Sequence, residues 1–169
     1  LFNTLNVISG MANLEDAPTT EKMIGSLSAL FRYNLKNVEH KIALAQELKI
    51  ARDYMYLQQM RFGSRIEYQE DIRVNVDEVI VPSYLLQPLI ENSIIHGLAR
   101  KEKGGWVKVR VKWVNNDLHV IVGDNGIGIP RKHLETIRKT FETGDFKGIG
   151  VGNIYKRIRS NMWKGSMTI

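Results

Sequence analysis

The segment IENSIIHG at residues 90–97 decides the fold, together with DNGIGIP at residues 124–130 and GIGVGN at residues 148–153. The first segment places an amide on an apolar helix, the second ends a strand with a carboxylate, and the third puts glycines before a helix. Mg-ATP requires an oxygen ligand for the metal, an acceptor for the base and backbone that can approach closely. Each motif recurs by chance, but three in this order form a specific pattern.

The composition limits the classes of protein that the chain can belong to. Its 169 residues carry a formal net charge of +6. They include no cysteine, which excludes disulfides and thiolate metal sites. No apolar run reaches the ~18 to 20 residues of a membrane span, and no signal peptide is visible. The positive charge suits phosphate ligands, acidic partners or an anionic membrane surface, although spread-out basic residues also describe a solubilising surface. We expect no nucleic-acid partner. The apolar start without a methionine predicts a fragment of a longer protein.

The first 63 residues predict helices. Apolar residues at helical spacing indicate one helix over residues 1–12, a second capped by Thr19 or Thr20, and a third from residue 44. A polar break separates the second and third helices at residues 37–40. Gly63 is typical of a helix end, because glycine readily adopts positive φ. A bundle this short often completes its core by dimerising.

Residues 64–169 alternate strands and helices. We predict a strand at 65–72, a helix at 82–98 kinked by Pro88, and a hairpin of strands near 107–113 and 118–124 that turns at Asn115-Asn116. A helix at 130–140, a helix at about 150–162 and a strand at 166–169 complete the prediction. The fold class is therefore α+β: an N-terminal helical segment, residues 1–63, followed by an α/β sandwich, residues 64–169, with helices on one face of the sheet.

Asn92 and His96 lie on the apolar helix. A buried amide without a partner costs ~1–3 kcal/mol, so Asn92 is either hydrogen-bonded within the core or a ligand of Mg²⁺. His96 follows one turn later, and a lone helical histidine is more often structural than catalytic.

Asp124 continues the apolar face of its strand and should reach the rim of the core. There its carboxylate can accept a hydrogen bond from an exocyclic amine such as that of adenine. Gly126 and Gly128 would let the backbone approach a flat ring. Alternatively, DNG is an ordinary turn that Asp124 caps.

The glycines of GIGVGN precede a helix, whose free amides could surround phosphates. They follow a polar loop near the end of the chain rather than a buried strand, which excludes a Rossmann fingerprint. The absence of GKS or GKT excludes a P-loop.

These three segments resemble the N box and the two glycine boxes of the GHKL ATP-binding fold, also called the Bergerat fold. LFNTLN at residues 1–6, ARDYMYLQQMRFG at 51–63 and VPSYLLQPLIENSIIHG at 81–97 narrow the resemblance to the LytS/YesM-type bacterial sensor histidine kinases. The resemblance covers essentially the whole chain, and LLQPLIEN and RFG are its most specific parts.

The resemblance implies ATP and Mg²⁺ as cofactors. Asn92 would hold the Mg²⁺, and Asp124 would accept a hydrogen bond from the adenine amine. Residues 141–148 would form a mobile lid. Two further residues would be catalytic: Glu91 at the phosphate end, and Asn3 one helical turn after the phosphoacceptor histidine. The remaining nucleotide-binding residues implied by the family are His96, Gly126, Gly128, Ile129, Gly148, Gly150, Val151 and Gly152.

The resemblance also implies a phosphoacceptor histidine two residues upstream of Leu1, so this chain contains none. His40, His96, His119 and His133 do not match that position. We therefore expect the chain to bind ATP without autophosphorylating. The family continues past Ile169, so the ATP-binding domain would be C-terminally incomplete. The implied partners are a second copy, bound through the N-terminal helices, and a response regulator; the full-length protein would be membrane-anchored with this part on the cytoplasmic side.

Two other functions remain open. A conformational clamp that resembles gyrase B or Hsp90 would hydrolyse ATP with a glutamate one turn before the metal-binding asparagine. That position is Pro88, which has no acid or base chemistry, so transfer is favoured over hydrolysis. A degenerate kinase domain acting as a dimeric interaction module is the second alternative.

Overall fold

The computed structural model describes residues 1–35, 41–99, 101–143, 152–159 and 166–167. Helices α1 (Phe2–Leu14) and α2 (Pro18–Leu35) pack side by side, and α3 (Leu44–Phe62) packs on α2. Helix α2 begins at Pro18, earlier than the predicted threonine cap, because the first turn of a helix tolerates a residue without an N–H. Helix α3 ends at Gly63, whose φ of 65° confirms the predicted stop. The predicted break at 37–40 lies outside the described residues.

The strands form two sheets. Strand β1 (Lys41–Ala43) pairs with β3 (Ile80–Pro82) in a small antiparallel ladder. Strand β4 (Gly105–Val114) is the centre of a three-stranded sheet, parallel to β2 (Ile66–Arg73) and antiparallel to β5 (Asp117–Asp124). The turn between β4 and β5 has positive φ at Asn115 (48°) and Asn116 (65°), which confirms the predicted hairpin.

The core lies between this sheet and the helices on one of its faces. Val107, Val109 and Val111 are completely buried and share one cluster with Met55 of α3 and with Ile90. The alternate residues of β4, such as Arg110, remain half-exposed. Each buried aliphatic side chain contributes about 1.5–3 kcal/mol relative to leaving it exposed. The arrangement confirms the predicted α/β sandwich with helices on one face.

The segment predicted as one helix over residues 82–98 is divided. Pro82 ends β3, a turn follows, and helix α4 covers only Gln87–Asn92 before a π-helical turn at Ser93–Leu98. Pro88 lies in the first turn of α4, where its missing N–H has no intrahelical acceptor to lose. The prediction of a kink at Pro88 was therefore wrong.

Among the described residues, two helices follow β5. Helix α5 covers Arg131–Thr143 and helix α6 covers Gly152–Ile158. Ser166 and Met167 are not in a strand, and the rest of the predicted final strand lies outside the described residues. Within the described ranges, no helix has the length and apolar character needed to cross a membrane.

Candidate nucleotide-binding site

The end of the π-helical turn lies directly against the turn that follows β5. A Cβ added to Gly97 would stand 2.7 Å from Oδ1 of Asp124, and a Cβ added to Gly126 would overlap the Gly97 backbone. The Ile127 N–H donates to the Gly97 carbonyl oxygen at 3.0 Å. The two segments therefore meet backbone to backbone at Gly126, whereas a side chain at Gly97 would have to displace the Asp124 carboxylate. We call this contact the Gly97–Gly126 junction.

Asp124 stands at the end of β5, half-buried, where the strand's inner face reaches the rim of the core. Its Oδ1 accepts a hydrogen bond from the Gly126 N–H at 2.8 Å, so Asp124 does cap the turn. Its Oδ2 accepts no hydrogen bond from the part of the chain that the structure describes. Capping thus occupies one carboxylate oxygen, which confirms the turn interpretation of DNG, and the adenine-binding interpretation of Asp124 stays a prediction.

Asn125 ties this turn to the start of β4. Its side-chain Oδ1 accepts the Trp106 N–H at 2.8 Å, and its own N–H donates to the Trp106 carbonyl oxygen at 3.3 Å. The Lys101 ammonium donates to the Asn125 carbonyl oxygen at 2.7 Å. These three bonds tie the residue that follows Asp124 to the start of β4 and to Lys101, so the turn is held by contacts other than those with Gly97.

The chain beyond the junction offers apolar surface. Gly128 has φ of 73°, a conformation that glycine adopts without strain. The side chains on either side of it, Ile127 and Ile129, are 57% and 49% exposed. Both isoleucines follow Asp124 closely in the chain, and exposed apolar side chains of this kind suit a flat base.

Helix α4 holds Glu91 and Asn92, and both side chains are half-buried. Oε1 of Glu91 accepts a hydrogen bond from Nε2 of Gln87 at 2.8 Å, one turn earlier. Tyr54 of α3 is close to this carboxylate: burial, and next the charge of Glu91, raises the pKa of Tyr54 to about 12. Asn92 donates and accepts no side-chain hydrogen bond within the described ranges. Its amide is therefore not used as a core hydrogen bond there, and its half-buried position leaves the amide open to solvent or a ligand.

The π-helical turn changes the predicted relation between Asn92 and His96. The Ala99 N–H donates to the carbonyl oxygen of Ile94 at 2.8 Å, a bond five residues long. Such a turn is wider than an α-helical turn and is frequently found at functional sites. His96 is exposed, whereas Asn92 is half-buried, so the two side chains do not share one environment.

The other predicted site residues lie elsewhere. Asn3 is exposed on α1, which packs on α2. Gly152 begins α6 and is buried, whereas Gly148, Gly150 and Val151 lie outside the described residues, as does most of the predicted lid. Sequence reasoning missed Gly97, because its contact with Asp124 and Gly126 forms only in the folded chain.

The residues of the site fit a nucleotide better than they fit a free metal. No group of three or more His, Asp or Glu side chains that could hold a metal occurs among the described residues. A Mg²⁺ held by Asn92 would take its other ligands from phosphate oxygens and water, as Mg²⁺ commonly does.

Two protein families match the chain. Residues 1–66 match the histidine kinase family, and residues 79–169 match the family of histidine kinase-, DNA gyrase B-, and HSP90-like ATPases. The second match includes the Gly97–Gly126 junction, Asn92 and Asp124, so ATP is the nucleotide that this family implies.

Sensor proteins are among the relatives. Sensor protein LytS of Enterococcus faecalis is 36% identical over 160 residues, which cover 93% of this chain and 27% of that protein. Sensor histidine kinase YpdA of Escherichia coli is 34% identical over 160 residues, 94% of this chain and 28% of that protein. The chain thus spans about a quarter of the length of these relatives. Among solved structures, a blue-light activated histidine kinase of Erythrobacter litoralis EL346 aligns with a TM-score of 0.47 and 15% identity, over 88% of this chain and 50% of that chain. From the two family matches and these relatives, the chain belongs to the histidine kinases of the LytS type, within the histidine kinase-, DNA gyrase B-, and HSP90-like ATPases.

Proposed function

We propose that this chain binds Mg-ATP beside the Gly97–Gly126 junction and is the kinase core of a two-component sensor. In the whole protein, the γ-phosphoryl group would pass from ATP to a histidine nitrogen and then to an aspartate of a response regulator. The observation that carries this proposal is the junction itself, because it fixes Asp124 with one carboxylate oxygen free next to exposed apolar surface.

Each described residue has a separate task in this proposal. Asp124 accepts a hydrogen bond from the adenine amine, and Ile127 and Ile129 contact the adenine ring. Asn92 provides an amide oxygen for Mg²⁺, which offsets phosphate charge when it is bound. Glu91 lies next to Asn92 and would orient the phosphate end, although its bond to Gln87 must then be shared or broken. Positioning of the reactants and neutralisation of charge account for most of the catalysis in such phosphoryl transfers.

Calorimetric titration of the chain with Mg-ATP tests the binding. Asp124→Asn keeps an oxygen for the Gly126 N–H but places an NH₂ opposite the adenine amine, so we expect affinity to fall ~10-fold or more. Asn92→Ala should weaken Mg-ATP binding more than it weakens binding of ATP without the metal. Asp117→Asn, at the exposed start of the same strand, is the matched control. Equal affinities for Asp124→Asn and the wild type would refute this site.

The acceptor histidine is a separate question. His96, His119 and His133 are all exposed, and His40 lies outside the described residues. None matches the family's acceptor position, so incubation of the chain with γ-labelled ATP should give no acid-labile label. Label on any of these histidines would contradict the assignment of the acceptor.

Hydrolysis is the second candidate function. Pro88 lies in the first turn of α4, four residues before Asn92, and it provides no group that could activate water. Steady conversion of ATP to ADP that Asn92→Ala abolishes would favour the clamp instead. A chain that folds but gives no binding heat would favour the non-catalytic module.

Dimerisation through α1 and α2 is part of the proposal. Val7, Met11 and Leu14 follow helical spacing on α1 and are 62%, 54% and 86% exposed. On α2, Met23, Leu27, Phe31 and Leu35 are spaced four residues apart and are also exposed. Apolar stripes of this kind on two packed helices fit a four-helix bundle with a second copy. We further propose that this part of the whole protein lies on the cytoplasmic side of the membrane.

A further inference from the structure

A buried carboxylate joins the helical segment to the helix that holds Asn92. Glu47 of α3 is completely buried. Its Oε2 accepts the N–H groups of Leu85 and Leu86 at 2.9 and 2.8 Å, and its Oε1 accepts the Tyr84 N–H at 2.8 Å. Tyr33 of α2 donates its hydroxyl to the same Oε1. All four partners are donors, so the group acts as a carboxylate with both oxygens used.

The three amides belong to the turn that leads into α4. Helix α4 begins at Gln87, and its N-cap residue, Leu86, provides no side-chain cap. The first amides of a helix need acceptors from outside it, and a negative charge there also interacts favourably with the helix dipole. Glu47 accepts the N–H of the N-cap residue Leu86 and those of the two residues before it, from 37 to 39 residues away in sequence. The entry into α4 is thus held by α3, since the N-cap residue provides no side-chain cap.

The same turn is held from two further sides. The Tyr84 hydroxyl donates to the carbonyl oxygen of Tyr33, and the two rings lie 4.4 Å apart. On the other side, Nη1 of Arg157 of α6 donates to the Ser83 carbonyl oxygen at 2.6 Å. The turn at residues 83–86 therefore contacts α2, α3 and α6 together. Of these, α6 is the helix that follows the glycines of GIGVGN.

Burying the charged Glu47 carboxylate costs desolvation energy, and the hydrogen-bond donors around it offset that cost. Desolvation raises the pKa of Glu47, while hydrogen bonds from the Leu86 N–H and from Tyr33 act in the other direction. A buried carboxylate is stable only where donors surround it. The same donors would hold a glutamine poorly, because its NH₂ group would face a backbone N–H.

We infer that Glu47 is a positioning residue for the nucleotide site. By binding the amides of Tyr84, Leu85 and Leu86, it fixes where α4 starts and so where Asn92 lies, one and a half turns later. This inference rests on the proposed Mg-ATP site, but the positioning of α4 by Glu47 can be measured without nucleotide. Glu47 does not touch the ligand in this arrangement; it acts through α4.

Amide hydrogen exchange and Mg-ATP titration of the same 169-residue chain test this inference. For Glu47→Gln, we expect exchange at residues 85–92 to accelerate about 10-fold or more while exchange at residues 107–111 stays within about two-fold. Mg-ATP affinity should fall by about 10-fold, because the displaced Asn92 no longer meets the metal. Glu47→Asp keeps the charge but is one methylene shorter, so its effects should be intermediate.

Two matched variants separate positioning from loss of stability. Glu70→Gln removes the carboxylate on β2 that pairs with Arg52 of α3 at 2.6 Å. Within the described ranges Glu70 forms no hydrogen bond or ion pair with residues 84–86, so exchange at residues 85–92 should stay unchanged. Tyr33→Phe removes the donor from α2 but keeps the cap of α4, so Mg-ATP affinity should stay within about two-fold. Unchanged exchange at residues 85–92 in Glu47→Gln would overturn the inference. If that variant does not fold, the same result in Glu47→Asp would overturn it. Wild-type chain without Mg-ATP binding would refute the proposed function only, since the exchange result would still decide the role of Glu47.

Discussion

At the scale of single residues, the site depends on where side chains are absent. Gly97 and Gly126 let two turns touch through their backbones, and within the described ranges Asp124 accepts a hydrogen bond through one oxygen, from the Gly126 N–H. The sequence singled out Gly126 and Asp124, because a DNG turn after an apolar strand is a recognisable pattern. Gly97 lies 27 positions before Asp124 in the chain, so its need for a missing Cβ follows only from the folded contact.

The substitution Gly97→Ala tests this contact. Its Cβ would stand 2.7 Å from Oδ1 of Asp124, and overpacking of this kind costs about 1–3 kcal/mol. We expect the free energy of unfolding to fall by that amount in urea titrations, and Mg-ATP affinity to fall as Asp124 moves.

Gly123→Ala is the control for this prediction. It lies on β5 next to Asp124, and a Cβ there meets nothing within 4 Å. Stability and affinity of that variant should match or exceed those of the wild type. Equal behaviour of the two variants would show that the junction has room for a side chain.

At the scale of elements, the effect of Pro88 on its helix depends on where that helix begins. Pro88 would kink a helix that began at residue 82, but α4 begins at Gln87. Substitution Pro88→Ala should therefore cost less than ~1 kcal/mol, mainly through greater freedom of the unfolded chain. Ser93→Pro is the contrasting variant, because the Ser93 N–H donates within the helix and its loss should cost ~3 kcal/mol or more. A large loss of stability in Pro88→Ala, measured by urea unfolding, would contradict the observed start of α4.

The exposed stripes of α1 and α2 lead to a prediction about assembly. A lysine in place of Met11 puts a charge in the middle of the α1 stripe, and a buried unpaired charge is strongly unfavourable. Sedimentation should then show a dissociation constant for the dimer raised at least ~10-fold. Met60→Lys is the control, because Met60 is 45% exposed on α3 and lies outside both stripes. A wild-type chain that sediments as a monomer at high concentration would contradict the proposed bundle.

At the scale of the whole molecule, tyrosines buried beside carboxylates set a limit at alkaline pH. Burial raises the pKa of Tyr33, of Tyr68 and of Tyr54, the last to about 12, from a usual value of 10.0. A raised pKa in the folded state means that stability is complete below pH 10, where both states keep the proton. It is lost as pH rises from 10 towards 12, because only the unfolded state ionises.

Urea unfolding at a series of pH values from 8 to 11 measures this effect, with tyrosinate absorbance as a second readout. The unfolding midpoint of the wild type should fall steeply above pH 10. In Tyr54→Phe the fall should be shallower, because one linked proton is removed. Tyr56→Phe serves as the control at the next tyrosine along α3. A midpoint that does not change with pH between 9 and 11 would contradict the linkage.

The sequence by itself determined the helical character of the first 63 residues, the β4–β5 hairpin and the order of the three motif segments along the chain, because these depend on local periodicity, turn residues and glycine spacing. The position of Asp124 at the rim of the core followed from strand parity in the same way. Only the tertiary structure decided where α4 starts, that a π-helical turn follows Asn92, and that Gly97 packs against Asp124 and Gly126. It also decided that Glu47 of α3 binds the amides of the turn that enters α4. These features depend on contacts between residues far apart in the chain, and helical or strand periodicity does not encode such contacts.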